Sequence, residues 1–338
     1  MHCLFGVNIK LDKLNSIFII LYYMLKTSNL LKNTKYLFFL VLSLTISSCA
    51  IKTEKIDLSI IESNLTCSFS VTADMRKYTG DAIGFFRGAV ESINLIGPGD
   101  FMISPGDIDP PERVLYTIHK YIDEDYIWYP AVGNHETGTK PNMKWLREYN
   151  SRGNTLPNIV NTGPPGAEET MYSFDYENAH FIILNEYYDG KSDTGTDGNI
   201  TDPVYNWLME DLNMNHKPVI FVIGHEPAFP EADAESKRIR HKNDCLNQYP
   251  ENRDRFWNLL SEYSVTAYIC GHTHNYSAIE INGVWQIDAG HSRGIRDRDS
   301  RSTYILFYIF ENNSVWYYTY RRKAFFNLYL LTEKNQIN

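Results

Sequence analysis

The sequence predicts an α/β domain in which two mixed β-sheets pack face to face with helices on their outer sides. Two observations lead there. From about residue 65, apolar β-branched runs alternate with stretches of helical spacing, the pattern of βα units. From about residue 276 the helical stretches stop and strand-like runs follow one another. No Pro/Gly/Ser-rich linker divides the two parts, so one domain is expected over 65–325, with 326–338 as a C-terminal tail.

The elements follow in order. Residues 66–73 (TCSFSVTA) read as a strand, and 81–95 carry Ile83, Phe86, Val90 and Ile93 at helical spacing. Residues 101–104 are a short strand; 111–123 are a helix opened by Pro110 and Pro111, which suit a first turn. Strands are expected at 127–132, 180–185, 218–223 and 265–270, with helices at 203–213 and 251–262. Residues 276–281, 284–288, 303–311 and 314–321 are read as consecutive strands, with a turn at Asn312-Asn313. The long connections 137–170, 186–202 and 226–250 are expected to ring the site and to carry substrate choice.

The chain has 338 residues, enough for a full core without disulfides or structural metals. With 32 Lys+Arg against 41 Asp+Glu the net charge is -9, which gives no electrostatic footprint for duplex nucleic acid. Among the 5 cysteines no pair has CxxC spacing, so neither a zinc knuckle nor a redox dithiol is indicated. Cys67 and Cys270 lie in apolar runs and are read as small buried hydrophobes.

The N-terminus reads as an address. Residues 36–46 (YLFFLVLSLTI) form an uncharged apolar run after Lys32 and Lys35, too short for a membrane span of about 20 residues. Ser47, Ser48 and Cys49 follow, and I-S-S-C resembles the bacterial lipobox, which implies lipid attachment at Cys49. The expectation is a signal peptide over 1–48, with 1–23 lying upstream of the true start at Met24, and a tether over 49–64. The protein would then be a membrane-anchored lipoprotein outside the cytoplasm, on the periplasmic side or the cell surface of a bacterium.

Five short blocks each follow an apolar run and end in a metal-type ligand. They are VTAD (Asp74), SPGD (Asp107), AVGNHE (Asn134, His135, Glu136), VIGHE (His225) and YICGHTH (His272, His274). Strand ends at the carboxyl edge of an α/β sheet are where ligand sites gather. Singly, each block has an ordinary explanation: Gly-Asp after a strand is usually a turn, and a His after Gly usually caps or faces solvent. Together they supply oxygen and nitrogen donors without thiolate, a mixture suited to Mn, Fe or Zn.

In this order the blocks resemble the calcineurin-like metallophosphoesterase family, over about 65–290. The resemblance implies a four-layer α/β/β/α sandwich and hydrolysis of a phosphomonoester or phosphodiester. It implies two transition-metal ions, with Asp107 bridging, Asn134, His225 and His272 on one ion, and Asp74 and His274 on the other. A hydroxide shared by the metals would attack phosphorus in line. His135 would protonate the leaving group or hold a phosphoryl oxygen, and Glu136 would orient His135. The substrate would be a small-molecule or envelope phosphate ester.

One departure matters. The family's first block is usually D-x-H, and here it is Asp74-Met75-Arg76. Arg76 stays protonated and cannot coordinate. Pro110 stands where the purple acid phosphatase branch has a ligating Tyr. Either water fills the gap and one metal is weakly held, or His291 of the DAGHSRG segment substitutes, or Arg76 clasps the phosphate in place of a metal. Arg76 in a surface salt bridge is the plainer alternative. His291 and Arg293 are also candidates for lining the site. Two other readings stay open: a nucleotide-directed phosphodiesterase or nucleotidase, if Trp145, Tyr187 or Tyr188 faces the metals, and a lipid-anchored binding protein on a decayed scaffold.

Overall fold

The computed structural model describes residues 64–76, 81–297, 299–323 and 328–338. The signal peptide, Cys49 and most of the tether lie outside the described residues. Among the described residues no helix is long and apolar enough to cross a membrane.

Two mixed sheets form the centre. The six-stranded sheet begins with three parallel strands, β1 (Leu65–Val71), β2 (Phe101–Ser104) and β3 (Ile127–Pro130). β11 (Thr303–Phe310) and β12 (Val315–Arg322) add antiparallel on the other side of β1, giving the order β13-β12-β11-β1-β2-β3. The outermost strand, β13 (Tyr329–Gln336), corrects the expected tail over 326–338: it pairs antiparallel with β12. Its run of Thr, Glu, Lys and Asn hides it, because an edge strand with one solvated face needs little apolar pattern. Only Tyr329 and a few leucines mark it, Tyr329 packing on Tyr304 at 5.2 Å.

The seven-stranded sheet has the order β4-β5-β6-β7-β8-β10-β9. Its parallel centre is β6 (Ala179–Ile183), β7 (Val219–Ile223), β8 (Ala267–Cys270) and β10 (Val284–Ala289). β9 (Tyr276–Ile281) pairs with β10 at one edge. At the other edge, β4 (Ile159–Thr162) falls inside the expected connection 137–170, and β5 (Tyr172–Tyr176) follows it where no element is expected.

Aromatic side chains fill the space between the sheets. Phe69 stacks on Phe307 at 4.7 Å and meets Phe181 and Phe221 of the facing sheet edge-on, each at 5.2 Å. Edge and stacked geometries of this kind add to the area each ring buries. Helices α1 (Phe86–Ile96) and α2 (Pro111–Tyr121) pack together outside the six-stranded sheet, where Ser92 Oγ hydrogen bonds the Tyr304 hydroxyl at 2.8 Å. α3 (Asn134–Thr137) is a single turn, and α4 (Lys140–Tyr149) follows it within the expected loop 137–170. α5 (Asp202–Met214) and α6 (Pro250–Glu262) cover the second sheet, burying Trp207, Leu208, Phe256 and Trp257 against Ile182, Val222 and Tyr268. The layering is the four-layer sandwich that the sequence predicts.

One buried histidine ties α5 to this sheet. His180 on β6 places Nδ1 2.7 Å from Asp175 Oδ1 and Nε2 2.8 Å from Asp211 Oδ2. Burial opposes charge on the ring, but hydrogen bonds and attraction from Asp211 and Asp175 outweigh it, and the pKa is raised. A raised folded pKa stabilises fully below the unfolded value of about 6.5 and loses that contribution as pH climbs through the folded value. The urea midpoint of the wild type is therefore expected to fall between about pH 6 and about pH 9, and that of His180→Gln to fall less. Parallel pH curves for the two proteins would mean that the ring is not charged in the fold.

Candidate metal centre

All five blocks reach one edge of the molecule, because each follows a strand whose carboxyl end points there. Asp74, Asp107, His272 and His274 all have positive φ, at 54°, 53°, 68° and 58°. Such backbone costs a non-glycine residue roughly 1–3 kcal/mol and collects at functional sites. The motif glycines answer to close approach. A Cβ on Gly106, itself at φ 85°, would stand 2.6 Å from His225 Nδ1, and one on Gly133 would stand 2.6 Å from Asp107 Oδ1.

Asp74, Asp107 and His274 form one buried group of donors. His274 Nδ1–H donates to Asp297 Oδ2 at 2.8 Å, which leaves Nε2 bare. That Nε2 lies 3.3 Å from Asp74 Oδ1, an oxygen that is buried and has no hydrogen-bond partner. His225 repeats the arrangement. Its Nδ1–H donates to the Pro105 carbonyl at 2.7 Å, so Nε2 is bare and faces Asn134 Oδ1 at 3.2 Å and Asp107 Oδ1 at 3.4 Å.

With these rings neutral, lone pairs converge on lone pairs, which is unfavourable unless a metal cation or a proton sits between them. Adjacent donors on one ion, with bonds of about 2.0–2.2 Å, stand about 3 Å apart. The separations here match, the donors are nitrogen and oxygen, and Asp107 belongs to both sets. These residues fit metal ions.

The electrostatics agree. Burial opposes ionisation of Asp74, but the positive charge and hydrogen bond that a protonated His274 would offer, with charge at His225 and His272 adding, more than offset it, so the carboxyl lies well below the usual range when a cation stands beside it. Burial, with His225 and His241 adding, holds His272 well below the ordinary histidine value, neutral and able to coordinate. His272 stands beside the second set rather than fully in it. Its ring centroid is 5.1 Å from that of His225, and its Nε2–H donates to the Asp244 carbonyl at 2.6 Å, so Nδ1 is left for a ligand. His272 also forms a second donor group with His241 and Asp244, two residues from the loop 226–250.

Arg76 faces the site, with Nε 3.9 Å from Asp107 Oδ2 and buried without a hydrogen-bond partner. The surface salt bridge is thereby excluded. His135 places Nε2 3.9 Å from the same oxygen, and its backbone N–H donates to Asp107 Oδ1 at 3.1 Å.

Several expectations are corrected. Glu136 accepts from the backbone N–H groups of Gly133, Asp107 and Ile108 at 2.9, 2.9 and 3.0 Å, so its carboxyl clips two ligand loops together instead of orienting the His135 ring. His291 is no substitute ligand. Its Nε2–H donates to the Ser300 carbonyl and its Nδ1 accepts from Arg293 N–H, both at 3.2 Å, and burial pushes its pKa down to about 3. Arg293 does reach the site, with Nη1 3.4 Å from His274 Nδ1. Tyr187 and Tyr188 are buried, their hydroxyls donating to Glu226 and to the Pro165 carbonyl, and Trp145 stacks on Tyr149 at 4.8 Å. None of the three is presented for stacking on a base.

Other site residues escaped the sequence reading. Glu186 Oε2 accepts from the backbone N–H groups of His225 and Glu226 at 2.9 and 2.7 Å, fixing the turn that carries His225. Glu186 follows an apolar strand, the same signal that marks the five blocks. Asp297 holds His274 and also pairs with Arg238 Nη1 at 2.8 Å and Arg240 Nη1 at 3.3 Å. No local spacing announces it.

Fold and site together define a metallophosphoesterase-type sandwich. The chain belongs to the calcineurin-like phosphoesterase family, whose model matches residues 73–276. It is similar to an acid phosphatase of Aspergillus ficuum, 25% identical in an alignment of 225 residues that covers 55% of this chain and 33% of the phosphatase. The match thus spans about a third of that relative's length. Among solved structures it is similar to GAP50, the anchor in the inner membrane complex of Plasmodium, at 16% identity and a TM-score of 0.49, covering 80% of this chain and 89% of that one. It is also similar to PhoD, at 11% identity and a TM-score of 0.49, covering 79% and 68%.

Proposed function

We propose that the protein hydrolyses phosphate esters with two transition-metal ions held through Asp107. The observation that carries this reading is the pair of bare imidazole nitrogens, on His225 and His274, each facing carboxylate or amide oxygen at 3.2–3.4 Å with Asp107 common to both sets. Asp74, Asp107 and His274 would hold one ion; Asp107, Asn134, His225 and His272 the other. The first set has the fewer ligands, so its ion is the more readily exchanged.

Bound there, the metals supply Lewis acidity and acidify a water. The chain's own groups do the rest. The Arg76 guanidinium lies beside Asp107, placed to hold phosphoryl oxygens through its fork of donors. Water oxygen would bond to phosphorus and shed a proton to solvent, the ester P–O bond would break, and the departing oxygen would take a proton from His135, which solvent then returns to the ring. Glu136 and Glu186 keep the ligand loops in register. Tyr187, Tyr188 and Trp145, the side chains on which a nucleotide reading rested, are engaged elsewhere, so they do not favour a nucleotide over other esters.

The test is elemental analysis of a 50–338 protein, run beside hydrolysis of p-nitrophenyl phosphate and bis-p-nitrophenyl phosphate with Mn, Fe, Zn, Mg or no metal. About two metals per chain with metal-stimulated turnover is the expected result. No metal and no turnover on either ester would sink the enzyme reading and leave a binding protein on this scaffold.

The N-terminal signals support placement outside the cytoplasm on a lipid anchor, where an envelope or scavenged phosphate ester would be met. Cys49→Ser is expected to move the protein from the membrane fraction to the soluble one. Retention in the membrane would rule out this anchor.

A further inference from the structure

The loop from Pro227 to Tyr249 runs over the metal centre as a strap, pinned at several points. Asp233 pairs with Arg321 of β12 through both oxygens, at 3.2 and 2.7 Å, with both side chains buried. Arg238 is saturated: Nε donates to Asn275 Oδ1, Nη1 to Asp297 and Nη2 to the His274 carbonyl. The Asp244 carbonyl receives His272.

Arg240, between these pins, is not saturated. Its Nη1 meets His274 Nδ1 and Asp297 Oδ2, while its Nε and Nη2 have no hydrogen-bond partner among the described residues. Asp297 Oδ2, 3.3 Å away, is the carboxylate Arg240 can use, and it already serves His274 while its other oxygen serves Arg238. Arg240 sits against His274 and Arg76 against Asp107, two members of one buried donor group, so the two positive charges share a neighbourhood. The two side chains come from the segment after β1 and from the loop 226–250, are 16% and 30% exposed in that order, and flank Asp74, Asp107 and His274. Two under-partnered guanidinium groups meeting beside a centre built for cations leave the site short of negative charge.

We infer that Arg240 and Arg76 form a two-guanidinium clamp that selects the dianionic phosphate of a monoester over a diester. This rests on the phosphoesterase reading and names the substrate class. A monoester phosphate near neutral pH carries a charge of about -1.5 to -2 on three free oxygens, enough to engage both forks while one oxygen stays on the metals. A diester carries one charge on two free oxygens and fills the third direction with carbon, so one fork is left without an acceptor.

The test compares wild type, Arg240→Ala and Arg240→Lys as metal-loaded proteins. Two readouts are taken: binding of inorganic phosphate by calorimetry, repeated on metal-free protein, and kcat/KM on the monoester and diester of p-nitrophenol. Arg240→Ala is expected to weaken phosphate binding about tenfold or more and to lower the monoester-to-diester ratio by a similar factor, with Arg240→Lys between. A ratio that does not change, or a wild type that prefers the diester, overturns the clamp while leaving the phosphoesterase reading intact. Wild type that turns over neither ester, yet binds phosphate more tightly than Arg240→Ala, overturns the hydrolase reading and keeps the anion clamp. Circular dichroism of each variant separates these outcomes from misfolding.

Discussion

Asp107→Asn is expected to abolish turnover, by about 10³-fold or more, with a thermal midpoint near that of the wild type. The size follows from position. Asp107 is the carboxylate common to the two donor sets, with Oδ1 3.4 Å from His225 Nε2 and membership of the Asp74–His274 group. Asparagine keeps the shape and can still accept from His135 N–H through its oxygen, so the loop is retained. It removes the charge that would hold the two proposed cations together, and metal-assisted catalysis contributes several kcal/mol of transition-state stabilisation, each 1.36 of which is tenfold in rate. The checks are kcat on p-nitrophenyl phosphate, metal per chain and the melting curve. A variant that keeps both metals and most of its turnover would remove Asp107 from the bridging role. Loss of folding would move it to a structural one.

His135→Ala is expected to slow turnover by about 10²–10⁴ with metal content unchanged. The ring is 24% exposed at the mouth of the site, 3.9 Å from Asp107 Oδ2, while its backbone, not its side chain, bonds the ligand loop. Removing the ring therefore leaves the ligands in place and takes away a proton donor. The loss should be greatest for alkyl esters, whose departing oxygen needs the proton, and smallest for p-nitrophenyl esters, whose leaving group does not. Equal loss on both kinds of ester would point to phosphate binding instead of proton transfer. Full activity on alkyl esters would end the acid role.

The five strand-end blocks were legible because their physics is local. An apolar strand long enough to cross a buried sheet, followed at once by Gly and a ligand, can be read without knowing the partner, and this located Asp74, Asp107, Asn134, His225, His272 and His274. The helix Lys140–Tyr149 was lost among Pro, Gly and Asn because its apolar face is only Met143 and Leu146, with Trp145 and Tyr149 spent on each other. β4 and β5 are short edge elements, and β13 is polar on its open face, so none gives a strong period. Arg240 and Asp297 were invisible for a different reason. They meet across 57 residues of chain, and an arginine in a loop has no periodicity to betray its partner. Glu136 was correctly placed beside the ligands, but which groups its carboxyl would bond depended on the approach of a second loop, at Asp107 and Ile108, that no spacing encodes.

The pinned strap has a consequence for observing the site. Three free thiols are described, Cys67, Cys245 and Cys270, and all are buried. Cys67 and Cys270 belong to central strands, so a labelling reagent meets them only when a sheet comes apart. Cys245 belongs to the strap, its Sγ donating to the His241 carbonyl at 3.0 Å. Burial pushes all three thiol pKa values up, which silences them while the fold is closed. Lifting the strap exposes one thiol and global unfolding exposes all three. The rate at which a single thiol becomes alkylated would thus time any lifting of this strap from the candidate site, read out by the chain without any added probe.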